Sequence, residues 1–163
     1  MTRFPKLPEI LQAEIDKIEP SHCGRLSYHP CRVTLLTGNS TDHVYVVAEK
    51  PYIALWGLYP EQDRGKFSVR IEDVVSIHES PSRLPAKFAN QLYQMGESGM
   101  GYQIFTVAFS DGSEQAYLTG NAVDFIEFPQ GKGPKDVVAV HPHTGRDLHP
   151  LPAPKYYWCL YSE

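Results

Sequence analysis

Asp73-Val74-Val75-Ser76-Ile77-His78 recurs 63 residues later as Asp136-Val137-Val138-Ala139-Val140-His141. Working back from that pair, Tyr45 answers Tyr117 at an offset of 72. Leu26-Ser27-Tyr28, Val33-Thr34-Leu35 and Gly38 answer Met100-Gly101-Tyr102, Val107-Ala108-Phe109 and Gly112 at an offset of 74. Leu7-Pro8 with Leu11, Ile15 and Ile18 answers Leu84-Pro85 with Phe88, Leu92 and Met95 at an offset of 77. The offset shrinks in chain order, as it does when a second copy has lost loop residues. The ordered matches predict a mainly β, α+β chain built from two tandem repeats. Each is a helix plus a small antiparallel barrel, over 7–80 and 84–143, and the two pack about a pseudo-two-fold axis. Residues 144–163 are left as a proline-rich extended tail closed by an aromatic strand.

The bulk numbers agree with short strands and turns. Fourteen prolines and twelve glycines sit among 163 residues, of which 42% are apolar, and this proline and glycine content leaves few long helical stretches. A unit of roughly 70 residues buries only about 60% of its unfolded surface, so the copies are expected to share a core or a broad interface. The net charge of −4 comes with no basic stripe, which points away from nucleic acid. No apolar run approaches the length of a membrane span, roughly 18 residues or more. The start, Met1-Thr2-Arg3-Phe4-Pro5-Lys6, leads into an acidic amphipathic segment and does not read as a signal peptide. With three cysteines, an odd count, the expected setting is a reducing cytoplasm.

Element by element, Leu7–Ile18 reads as a helix stopped by Pro20, and Ser21–Pro30 as a loop. Strands are expected at Cys31–Thr37, His43–Glu49, Tyr52–Trp56, Phe67–Ile71 and Val74–Ile77. In the second copy the helix is Pro85–Met95, ended by Gly96. The strands are Tyr102–Ser110, Glu114–Thr119, Val123–Phe128 and Asp136–His141, with Asp111-Gly112 as a hairpin turn. Leu11/Phe88, Ile15/Leu92, Val33/Val107, Leu35/Phe109 and Val75/Val138 are the expected paired core positions. Tyr156–Tyr161 is too apolar to stay in water and should pair with a strand edge.

A short helix followed by about five short antiparallel strands, the last entered through an acidic residue, resembles the Sm-like and SH3-like small barrels. The Sm-type RNA-binding pattern is absent: Ala48-Glu49-Lys50 and Gly120-Asn121-Ala122 occupy its place. The segment Glu97-Ser98-Gly99-Met100-Gly101-Tyr102 followed by Asp111-Gly112 resembles a family of small uncharacterised bacterial proteins with an S-G-M-G-Y segment before a D-G hairpin. That resemblance implies a bacterial origin and no particular chemistry.

Candidate chemistry is sparse. The Gly96–Gly101 loop follows a helix and feeds a strand, so its backbone dipoles do not favour a phosphate; a tight connection needing positive φ is the simpler reading. His22, Cys23 and His29, with Cys31, have ligand chemistry suited to zinc but lack a paired-cysteine clamp. His141 and His143 offer further ligands, although His141 repeats His78 and so suits a structural strand end. No nucleophile elbow occurs, and Cys159 has no local motif. Tyr52, Trp56 and Tyr59, Tyr102, and Tyr157 with Trp158 are the residue types that anchor interfaces, unless they serve as core. The reading is a non-enzymatic bacterial protein without a cofactor, an interaction, regulatory or immunity-type module whose partner is another protein or a second copy. The alternative is a metal- or small-ligand-binding protein, with or without enzymatic activity, using His and Cys groups between the repeats.

Overall fold

The computed structural model describes residues 3–142 and 149–163. The chain divides into two units, one running to Ser80 and completed by Lys155–Glu163, the other spanning Pro81–Pro154. The architecture is mixed α+β, with three α-helices and two open sheets among the described residues.

In unit 1, α1 (Glu9–Ile15) precedes β1 (Ser21–Cys23), β2 (Leu26–Leu35) and β3 (Ser40–Ala48). Then come α2 (Glu49–Trp56), β4 (Phe67–Ser68) and β5 (Val74–His78). Unit 2 has α3 (Ala86–Met95), β6 (Gln103–Phe109), β7 (Glu114–Thr119), β8 (Val137–Pro142) and β9 (Leu151–Pro152). The final strand, β10 (Tyr157–Tyr161), belongs to unit 1. Its sheet runs β1-β2-β3-β10-β4, with β5 on the β1 side of β2, and the second runs β8-β6-β7-β9.

Neither sheet closes into a barrel. One reason is that two expected strands do not form. Tyr52–Trp56 is the body of α2, not a strand. Pro51 falls in the first helical turn, where its missing N–H costs nothing, and Gly57 ends the helix in the left-handed conformation at φ 78°. In unit 2 the expected strand Val123–Phe128 is instead a buried irregular segment. Phe125 makes a single antiparallel bridge to Arg83, and the Leu84 amide donates to the Asp124 carbonyl at 2.7 Å. The expected loop Ser21–Pro30 holds β1 and the first half of β2, and Phe67–Ile71 keeps only two strand residues. Nor are the sheets purely antiparallel: β10 pairs in parallel with both β3 and β4, and β9 in parallel with β7.

The strand registers agree between units. Arg32↔His78, Val33↔Ile77, Thr34↔Ser76 and Leu35↔Val74 correspond to Thr106↔His141, Val107↔Val140, Ala108↔Ala139 and Phe109↔Val137. Each ladder slips at the same place, leaving Val75 and Val138 as the extra residue. A bulged residue leaves the alternation, so both valines are exposed, contrary to the expected pairing. Val74 with Ile77, and Val137 with Val140, take the inward places. The match of Tyr45 to Tyr117 also fails by register. Val44 stands opposite Cys31 as Tyr117 stands opposite Phe105. A second bulge in β3, near His43 at φ 62°, shifts the count by one.

The remaining paired positions pack as the helix periodicity predicts. Leu11, Ile15, Ile18, Val33 and Val44 join Ile71, Val74, Ile77 and Cys159 in one core. Phe88, Leu92, Phe105, Val107 and Phe109 join Tyr117 and Val123 in the other. Leu35 is partly buried against the first, and Met95 is exposed.

Burial favours the neutral form of several acids, Tyr52, Tyr156 and Tyr161 among them. It pushes the Cys159 thiol up to about 12, helped by Glu72 and Asp73, and the Tyr117 hydroxyl up to about 12, helped by Glu127. A folded value above the unfolded one gives stability that is complete below the unfolded value and lost as pH rises toward the folded one. Each such group costs about 1.4 kcal/mol per pH unit above its unfolded value. The urea midpoint is therefore expected to fall as pH rises above about 9, where unfolded Cys159 ionises, and to fall less there in Cys159→Ala, with Tyr117 adding its share above about pH 10. A midpoint that stays flat from about pH 9 to pH 10 would show that Cys159 is not linked to folding, and one that stays flat above about pH 10 would show the same of Tyr117.

Candidate functional site

The sheet of unit 1 has two unlike faces. Alternation along β10 sends Cys159 into the aliphatic core and Trp158 to the opposite face. There Trp158 stacks on Tyr45 at 4.8 Å between ring centroids and meets Tyr28 and Tyr52 edge-on at 5.6 and 5.1 Å. Trp56 lies 6.4 Å from both Tyr52 and Trp158. Each such aromatic pair contributes roughly 0.5–1.5 kcal/mol beyond its buried area. The Tyr52 hydroxyl and the indole N–H groups of Trp56 and Trp158 are buried without a hydrogen-bond partner among the described residues. Donors left so are places where a water or a bound group supplies the acceptor.

Beside this cluster the sheet edge has a gap. On the side of β10 away from β3, the Val69 amide donates to the Trp158 carbonyl at 2.9 Å. Four residues on, the Ser162 amide donates to the Pro5 carbonyl at 2.9 Å, where Lys6 and Ser162 form a parallel bridge. Backbone groups of alternate strand residues point the same way. The N–H and C=O of Leu160 therefore face this same edge, midway between the two anchors, and no described residue bonds them there. Pro5 has no N–H to donate, and the chain after Val69 turns away into a 3₁₀ turn at Ile71–Asp73.

A pocket of about 360 Å³ opens at this gap, with Leu160, Trp158, Val69, Phe4 and Pro5 in its wall. Its rim carries two ion pairs, Arg3–Glu61 and Arg70–Glu72, each at 2.6 Å and each exposed. The flap Arg3–Pro5 is held by Glu49, whose buried carboxylate accepts the Arg3 amide at 3.2 Å and the Tyr59 hydroxyl at 2.9 Å. That hydrogen bond is the main reason the Tyr59 hydroxyl is raised. The Arg3 guanidinium lies 4.2 Å from the centroid of the Tyr59 ring.

Of the aromatic residues singled out in the sequence, Tyr52, Trp56 and Trp158 come together and Tyr59 supports the flap. Tyr157 faces the aliphatic core and packs on Phe67 at 6.1 Å. Tyr102 lies in unit 2, and its ring covers Gly99 so closely that a Cβ there would overlap it. Ser98 accepts the Ile104 amide at 2.8 Å and Gly101 sits at φ 79°, which gives the S-G-M-G-Y segment a structural explanation. Sequence reasoning missed Glu49, Asp63, Lys66 and the Leu160 backbone; only the buried charge of Glu49 next to an apolar strand left any trace in the pattern.

The metal candidates are spread out. His22 is exposed on β1 with its Nδ1 2.7 Å from the Ser27 hydroxyl, Cys23 and His29 are partly buried, and Cys31 is core. His141 is exposed on β8, and His143 lies outside the described residues. Among the described residues no group of three or more His, Cys, Asp or Glu side chains gathers as metal ligands. No helix among them is long and apolar enough to cross a membrane. Comparison with protein-family models, curated proteins and solved structures gives no match to this chain.

Proposed function

We propose that this chain is a non-enzymatic protein-interaction module of the bacterial cytoplasm, of a regulatory or immunity type, and that it binds an extended segment of a partner protein at the gap beside β10. The observation that carries this reading is the backbone pair of Leu160, a donor and an acceptor that no described residue bonds, in a residue that is itself 3% exposed and lines an apolar pocket at the sheet edge. An added strand satisfies such a pair through main-chain hydrogen bonds, while a neighbouring pocket selects a side chain. The pocket volume suits two or three peptide residues, and the two rim ion pairs offer both signs of charge to flanking side chains or chain ends. The two units are, in the same reading, copies of one ancestral unit, supported by the shared registers and shared bulge. The two-fold arrangement expected from the sequence belongs to that proposal.

Cys159 allows a direct test, because it is a ligation junction for a synthetic Cys159–Glu163 segment. Replacing Leu160 by N-methyl-leucine removes one N–H that no described residue uses, so the fold should persist by circular dichroism. Peptides selected from a phage-displayed library on the wild-type chain are expected to bind the N-methyl form at least about tenfold more weakly, from the lost hydrogen bond and the added bulk. Equal binding to both forms, or a library that yields no binder, would reject the edge as the site.

A further inference from the structure

We infer that Tyr52, Trp56 and Asp63 form a binding site for an alkylammonium group, and that Lys66 is its resident occupant, a side chain an external ammonium can replace. The Lys66 ammonium lies 4.1 Å from the Trp56 ring centroid and 5.7 Å from that of Tyr52. The Asp63 carboxylate is 3.1 Å away. Aromatic faces with one carboxylate are the elements that recognise quaternary and methylated ammonium groups, because ring quadrupoles attract a weakly hydrated cation.

The box is built independently of the lysine. Tyr52 is fully buried, and both its ring and that of Trp56 are braced by Trp158. Lys66 is the part that costs least to move. It is joined to the turn by its own amide, which donates to the Asp63 carbonyl at 3.2 Å, next to Gly65 at φ 82° with open space around it. Burial is the first cause that raises the Tyr52 hydroxyl and opposes any charge there; after it come Asp63, Tyr156 and Glu61, and the two carboxylates are what set a negative field that a cation answers. This site rests on side chains distinct from the backbone edge at Leu160, so either can fail without the other.

The chain has two tryptophans, Trp56 and Trp158, and both belong to this cluster, so intrinsic fluorescence of the full chain reports on it. Choline is expected to bind Lys66→Ala at least about tenfold more tightly than wild type, since the competitor is gone. Its neutral isostere 3,3-dimethylbutanol should bind neither form measurably. Adding Asp63→Asn to Lys66→Ala should weaken choline again. In the wild-type chain, saturating choline should move the Lys66 ε-CH₂ resonance toward its free-lysine position, a readout that needs no variant. A trimethyl-lysine peptide that binds more tightly than choline would identify a protein side chain as the ligand; the reverse order would identify a small free cation. Equal binding of choline and the isostere, or a Lys66 resonance that choline leaves in place, would overturn the inference.

Discussion

Removing Lys155–Glu163 is expected to leave unit 1 unfolded. β10 lies between β3 and β4, pairing with Val44–Ala48 on one side and Phe67–Ser68 on the other. Its loss strips β4 of its pairing and opens the buried edge of β3. It also empties both faces at once, since Trp158 centres the aromatic cluster and Cys159 belongs to the aliphatic core. Truncating a buried tryptophan alone costs about 3–5 kcal/mol, and Leu160 adds about 1.5–3 kcal/mol of lost burial. A whole domain has only about 5–15 kcal/mol to lose. The shortened chain should show collapsed amide dispersion for residues before Ser80 and a red-shifted emission from Trp56. If Trp56 emission and the thermal transition match those of the full chain, the tail is not part of the unit 1 core.

Leu92→Ala should destabilise the protein by about 2–5 kcal/mol, the range for a large side chain removed from a packed interior. Leu92 is fully buried on α3, in the core that also holds Phe88, Phe105 and Val107. The Leu92 carbonyl also accepts the Gln103 side-chain amide at 3.0 Å, so the helix end is tied to β6 at this residue. A backbone acceptor survives the substitution, which makes the measured loss a cavity effect. Met95 is the comparison. It shares the sequence periodicity of Phe88 and Leu92 but is 48% exposed, so Met95→Ala should change stability by no more than about 0.5 kcal/mol. Chemical denaturation of the two variants decides between them. A loss below about 1 kcal/mol for Leu92→Ala would mean that α3 buries another face.

Helix faces and hairpins were legible because their signals are local. The spacing of Leu11, Ile15 and Ile18, and the Asp111-Gly112 turn, need no knowledge of distant residues. Tyr52–Trp56 was not legible, since five mostly apolar residues fit a strand or a helix equally well, and Pro51 suits either a turn or a first helical turn. Val75 and Val138 were misplaced by a bulge that falls within an otherwise regular pattern. The site was half legible. Tyr52, Trp56 and Trp158 stand out by residue type, but the partnership of Lys66 with Trp56 depends on a turn, and the unpaired edge at Leu160 depends on what three separated segments leave unbonded. A backbone pair left without a partner has no side-chain signature.

The position of β10 in the chain also sets an order in time. Pro81–Pro154 forms a contiguous unit, whereas the unit that begins first must wait for Tyr157–Tyr161 before its sheet is complete. Domains made on the ribosome usually fold from the N-terminus onward. Here the unit made first cannot finish first: until Tyr157–Tyr161 is available it still exposes the β3 edge and an unfilled aromatic face. A nascent chain in that interval presents the surface that invites mispairing or chaperone capture.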